Sequence, residues 1–122
     1  FFFFEMQLNP GTKRCSGTFE AGQMHGLIQE WDYFGVHRET TYVHGVMEGL
    51  FTEYRDRDVK GEEGDYRNNQ KHGRWLKWFS NGVILSDGSY VDGKKQGEWK
   101  TFNHHGELEK TEVFVDGELK ED

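Results

Sequence analysis

Residues 88–102 read Gly88-Ser89-Tyr90-Val91-Asp92-Gly93-Lys94-Lys95-Gln96-Gly97-Glu98-Trp99-Lys100-Thr101-Phe102. The frame is an aromatic, a glycine after two residues, a second glycine after three more, then two further rings. It returns along the whole chain. The leading aromatic recurs as Phe19, Tyr42, Tyr66, Tyr90 and Phe114, at spacings of 23, 24, 24 and 24. Past the second glycine come Ile28, Phe51, Trp75 and Trp99, then Trp31, Tyr54, Trp78 and Phe102, then a turn at Gly35, Asp58, Gly82 and Gly106. A fixed period of this length marks a repeat architecture.

The glycines test the register. Gly22, Gly45, Gly93 and Gly117 share one slot, filled by Asn69 in the third repeat. Gly26, Gly49, Gly73 and Gly97 share a second, and Gly11, Gly35, Gly82 and Gly106 a third, with Asp58 as its exception. Gly17, Gly64 and Gly88 share a fourth, two residues before an aromatic. Asn and Asp tolerate positive φ better than most side chains. The sequence therefore predicts structural turn glycines at Gly22, Gly26, Gly45, Gly49, Gly73, Gly82, Gly93, Gly97, Gly106 and Gly117.

Between turns the segments have the length of single strands, and none carries a helical period over 11 or more residues. Hairpin-length links join neighbours, so the strands run antiparallel. The expected fold is all-β: one elongated, twisted β-meander with two strands per repeat. A single domain, 1–122, divides into a partial repeat 1–18, repeats at about 19–41, 42–65, 66–89 and 90–113, and a partial repeat 114–122. A single sheet has no second layer, so stability comes from neighbour-on-neighbour stacking. Three ring rows are expected: Phe51, Trp75 and Trp99; Trp31, Tyr54, Trp78 and Phe102; and Tyr42, Tyr66 and Tyr90.

Composition sets the outer limits. With 122 residues, 19 aromatics and a net charge of −7, the chain is too aromatic for disorder and too acidic for duplex nucleic acid. Lone Cys15 excludes a disulfide scaffold, and no apolar run approaches the roughly 20 residues of a membrane helix. A soluble cytoplasmic protein is expected. Phe1 to Phe4 open the chain without a methionine, which points to a fragment or processed product whose first residues belong to a strand.

The frame resembles the MORN repeat (membrane occupation and recognition nexus) in its 24-residue variant form. Asn81-Gly82, Gly88-Ser89-Tyr90, Gly93-Lys94-Lys95-Gln96-Gly97, Trp99 and Phe102 carry the likeness, which extends from about Gly11 onward. Asn69 and Glu121 depart from it at glycine positions, and the stretch Arg55 to Glu63 is more charged than a usual connection. The resemblance implies three settings: a bacterial antitoxin, a scaffold at membranes or cytoskeleton, and the repeats that precede the catalytic domain of a SET-type lysine methyltransferase. This chain holds no such catalytic domain, so in the last setting it is an N-terminal fragment.

Catalytic constellations are poor in this sequence. Ser16, Ser80, Ser86 and Ser89 lie in no nucleophile-elbow motif, and Gly61-Glu62-Glu63-Gly64 lacks the P-loop ending. His25 and His72 share a slot with Glu48 and Gln96, which the repeat frame explains without a metal. His104-His105 precedes a turn glycine and reads as solvated. Asp56, Asp58, Glu62 and Glu63 faintly resemble a calcium loop, but Lys60 sits where a carboxylate belongs. The expectation is a non-enzyme with no metal and no cofactor.

Aromatic surface suits a protein partner. The expected anchors are Trp75, Trp78, Trp99, Phe102, Tyr66 and Tyr90, with a basic protein, such as a toxin or a nucleic-acid-binding protein, as partner. No nucleic acid is expected. Membrane attachment is the rival reading. It would need a basic patch at Lys71, Arg74, Lys94 and Lys95, and the net charge disfavours it. Open edge strands predict homodimerisation.

Overall fold

The computed structural model of the chain describes residues 2–9, 13–32, 37–55 and 59–120. Every element is a strand: β1 (Phe2–Asn9), β2 (Lys13–Glu20), β3 (Gln23–Met24), β4 (Gly26–Asp32), β5 (His37–Val43), β6 (Val46–Arg55), β7 (Val59–Arg67), β8 (Gln70–Trp78), β9 (Ile84–Val91), β10 (Lys94–Phe102), β11 (Leu108–Val115) and β12 (Glu118–Lys120). They form one open sheet in chain order, with each pair antiparallel and β3 paired only to β2. Contacts between strands run to the sheet neighbour, so among the described residues no second layer covers either face. Among the described residues no helix is long and apolar enough to cross a membrane.

One end of the sheet is closed by five two-residue turns: Ala21-Gly22, His44-Gly45, Asn68-Asn69, Asp92-Gly93 and Asp116-Gly117. Both central residues have positive φ in each, from 49° at His44 to 87° at Gly117. These are type I′ turns, whose twist matches that of the strands they join. The opposite end carries longer links, such as the one where Phe79 N–H donates to Val83 O at 2.8 Å and Gly82 N–H donates to Phe79 O at 2.9 Å.

The second glycine slot is a different device from the expected turn. Gly26, Gly49, Gly73 and Gly97 have positive φ, from 77° to 111°, but lie within or at the start of strands where the register slips. Gly64 stands opposite Gly73 to Trp75, because Glu63 pairs with Leu76 while Asp65 pairs with His72. The slot is a bulge of three residues against one, which adds two residues to one strand relative to its neighbour once per repeat. Gly11, Gly35, Asp58 and Phe1 fall outside the described residues. The charged stretch after Asp58 is not loop: Val59 to Glu63 opens β7.

The three expected ring rows are two. Strand alternation and the pairings Phe51–Gly64, Gly49–Tyr66, Trp75–Gly88 and Gly73–Tyr90 put the first and third rows on the same face, where they interleave. Edge-to-face contacts run Phe51–Tyr66 (5.5 Å), Tyr66–Trp75 (5.3 Å), Trp75–Tyr90 (6.2 Å), Tyr90–Trp99 (5.0 Å) and Trp99–Phe114 (6.3 Å) between ring centroids. Ile28, Phe51, Trp75, Trp99 and Phe114 are the buried apolar core. The remaining row, Trp31, Tyr54, Trp78 and Phe102, belongs to the opposite face.

The fourth glycine slot explains how a one-layer sheet buries a tryptophan. The Trp75 indole lies flat on Gly64, and a Cβ there would sit 2.1 Å from Trp75 Cδ2. The Trp99 indole lies on Gly88 in the same way, at 2.0 Å. Each indole N–H then reaches a backbone carbonyl one residue on: Trp75 Nε1 donates to Asp65 O at 2.9 Å, and Trp99 Nε1 to Ser89 O at 3.1 Å. The missing side chain thus satisfies both burial and the polar tip of the ring. In the second repeat the smaller Phe51 stands opposite buried Thr40 instead.

Lys71 and Lys95 close the rows from above. Lys71 Nζ lies 4.5 Å from the Trp75 ring centre and 5.3 Å from that of Tyr90. Lys95 Nζ lies 4.7 Å from Trp99 and 4.9 Å from Phe114. Met24 and Met47 hold the same slot in earlier repeats. The lysine stems are apolar, and their ammonium groups add cation–π attraction to the rings beneath.

Candidate functional site

The six expected anchors divide between the faces. Trp75 and Trp99 are buried, with Tyr66 and Tyr90 half-buried beside them on the core face. Trp78 and Phe102 are half-buried on the opposite face. The structure therefore does not bring the six together.

What it does bring together is a stripe on that second face. The pairings Trp31–His37 and His37–Tyr54 carry it across β4, β5 and β6. The His37 ring is stacked on Trp31 at 4.9 Å with planes 9° apart, and on Tyr54 at 5.4 Å and 24°. His37 Nε2 is buried and has no hydrogen-bond partner among the described residues. Beyond Tyr54 the stripe continues through Lys60, whose Nζ lies 5.9 Å from the Trp78 ring centre, and on the same face to Phe102. A shallow depression that Tyr54 also lines lies next to it, bounded by Glu39, Thr41, Thr52 and Glu63 and by the half-exposed Leu27 and Leu50. The sequence singled out four rings of this stripe as a row but missed His37.

Part of the charge on the sheet is paired. Arg74 makes a two-point contact to Asp87, with Nη2–Oδ2 at 2.8 Å, and this hydrogen bonding raises the guanidinium pKa. Lys71 Nζ reaches Glu62 Oε2 at 3.2 Å, and Lys60 holds Glu63 at 3.2 Å. The four members of the expected basic patch do not share a surface. Lys71 and Lys95 lie over core-face rings, whereas Lys94, opposite Val91, and Arg74, opposite Ser89, alternate to the other face. Glu62 and Glu63, the described part of the candidate calcium loop, bind Lys71 and Lys60 on opposite faces and do not converge.

Three of the four residues that share the His25 slot have a common task at the turn end; the fourth, His72, has a buried Nδ1 with no hydrogen-bond partner among the described residues. His25 Nδ1 accepts from His44 N–H at 3.3 Å, Glu48 Oε1 from Asn68 N–H at 3.1 Å, and Gln96 Oε1 from Asp116 N–H at 2.8 Å. Each side chain caps the first amide of the next repeat's turn. The next amide of that turn donates to backbone one repeat back: Gly45 to Met24 O, Asn69 to Met47 O, Gly93 to Lys71 O and Gly117 to Lys95 O, at 2.8 to 3.1 Å. His, Glu and Gln are interchangeable here because all three accept. His104 and His105 are exposed at the turn before β11.

Burial, then the nearby Glu30 charge, raises the Cys15 thiol above its ordinary value. Burial also raises the Tyr66 phenol, with Lys71 opposing it.

No protein-family model matches the chain, and a search of curated proteins finds no match either.

Proposed function

We propose that the chain is a non-enzymatic, cytoplasmic protein-binding module of MORN-repeat type, and that its contact surface is the Trp31–His37–Tyr54–Trp78–Phe102 stripe. The observation that carries this reading is the half-buried aromatic run, stacked from Trp31 through His37 to Tyr54, with a ring nitrogen in its middle that has no hydrogen-bond partner among the described residues. Trp and Tyr are strong anchors once water is excluded from them. An incoming donor or acceptor at His37 Nε2 would relieve a buried polar atom that otherwise costs free energy. Glu39 and Glu63 beside the stripe, and the net charge of −7, favour a basic partner. In the antitoxin version of this reading the partner is a toxin.

The test is quantitative affinity capture with the parent chain, the double variant Trp78→Ala/Phe102→Ala, and Lys77→Ala, an exposed position on the core face. The expected result is one basic protein retained by the parent and by Lys77→Ala and lost at least about tenfold by the double variant. Equal capture by all three chains would overturn the assignment. So would binding to anionic vesicles in a flotation assay with no protein captured.

A further inference from the structure

Where successive repeats meet at the type I′ end, three positions come together: the residue before one turn, the residue of the His25 slot after it, and the first residue of the next turn. At the first junction these are Glu20, His25 and His44. The equivalent trios are Val43–Glu48–Asn68, Arg67–His72–Asp92 and Val91–Gln96–Asp116, none of which offers three metal-ligating side chains. In the first, the ligand atoms lie within 4.8 Å of one another. Glu20 Oε2 and His25 Nε2 are 3.3 Å apart, and the two imidazole centres are 5.0 Å apart.

We infer that Glu20, His25 and His44 form a zinc-class divalent-cation site that ties the second repeat to the first. Bonds of about 2.0–2.1 Å to a tetrahedral zinc place neighbouring ligand atoms about 3.3 Å apart, the spacing Glu20 and His25 already have. Exposed His44 closes the third position by side-chain rotation, and the fourth is open to solvent. The donor set of two imidazoles and one carboxylate suits zinc, whereas calcium and magnesium prefer all-oxygen shells.

The proton count is fixed. With His25 Nδ1 accepting from His44 N–H, the ring proton is on Nε2 and faces Glu20. An ion on Nε2 sends that proton to Nδ1, with no net release, and gives up the His44 contact. That contact, at 3.3 Å, is already at the long end of hydrogen bonding. Three metal–ligand bonds replace it. The location has a use: this junction holds aliphatic Ile28 where later repeats hold Phe51, Trp75 and Trp99.

Titration calorimetry with zinc chloride on the tag-free chain tests the site, with cobalt absorption reporting the geometry. The expected result is one equivalent bound with micromolar affinity, a tetrahedral cobalt spectrum and a raised melting temperature. His44→Asn, which copies the Asn68 of the next turn, and Glu20→Gln should each weaken binding by at least about tenfold, with circular dichroism confirming the fold. His72→Asn should leave binding unchanged. No heat at about 100 μM zinc would overturn the inference. Binding that His44→Asn leaves intact, or that His72→Asn weakens equally, would overturn it too.

Discussion

Gly88→Ala adds one methyl group at an exactingly closed position. The new Cβ would lie 2.0 Å from Trp99 Cδ2, 2.3 Å from Cε2 and 2.5 Å from Cε3. Carbon pairs settle at about 3.5–4.0 Å, so the indole must retreat by about 1.5–2 Å. That breaks the Nε1 bond to Ser89 O, worth about 1 kcal/mol. It also disturbs the edge contacts with Tyr90 and Phe114, at about 0.5–1.5 kcal/mol each. The sum is about 2–4 kcal/mol, and its ceiling is the cost of expelling the ring, about 3–5 kcal/mol for Trp→Ala. Urea unfolding followed by circular dichroism measures it. In a Trp99→Ala background the methyl meets no ring, so Gly88→Ala should there cost about 1 kcal/mol or less. Swapping both partners, as Gly64→Thr with Trp75→Phe, imitates the Thr40–Phe51 pair and should recover stability that Gly64→Thr alone loses. The packing argument fails if Gly88→Ala unfolds within about 0.5 kcal/mol of the parent, or costs as much without the indole as with it.

Two further outcomes follow from the turn ladder and the half-buried phenol of Tyr66. Gln96→Leu removes the acceptor for Asp116 N–H, so hydrogen exchange at that amide should quicken while global stability falls by at most about 1 kcal/mol, and Gln96→Glu should leave both unchanged. Cys15 and Tyr66 are acids whose pKa values are raised above 9.0 and 10.0 by burial. Their contribution to stability is therefore complete below those values and is lost as pH rises through the folded ones. The urea midpoint should fall above about pH 9–10 and fall less in Tyr66→Phe; a midpoint that rises there would contradict the burial assigned to these groups.

The parts of the fold that repeat by chemical type were legible in the sequence. The turn slot with Asn69 among glycines announces positive φ, and the φ of 66° at Asn69 follows from it. The alternation that places Tyr66 and Trp75 on one face was harder to see, because the bulge at Gly73 shifts the register between them. Counting rings along the chain separated rows that the bulge merges. Gly64 and Gly88 were visible as a slot without a reason. The signal lay in their constant offset of 11 residues from Trp75 and Trp99, and in Thr40 standing at that offset from the smaller Phe51. The capping slot of His25, Glu48 and Gln96 looked chemically mixed until the acceptor role common to the three was set beside the next repeat's turn. His37 carried no repeat signature, and the two rings it stacks between, Trp31 and Tyr54, come from the strands on either side.

The whole architecture rests on indoles lying flat against bare backbone in the neighbouring strand. Proton NMR of the chain reads this directly. Ring currents should move the Hα resonances of Gly64 and Gly88 well upfield of those of Gly82 and Gly106, with nuclear Overhauser contacts from Gly64 to Trp75 and from Gly88 to Trp99. Glycine Hα shifts that are all ordinary, with no contact to either indole, would contradict the account.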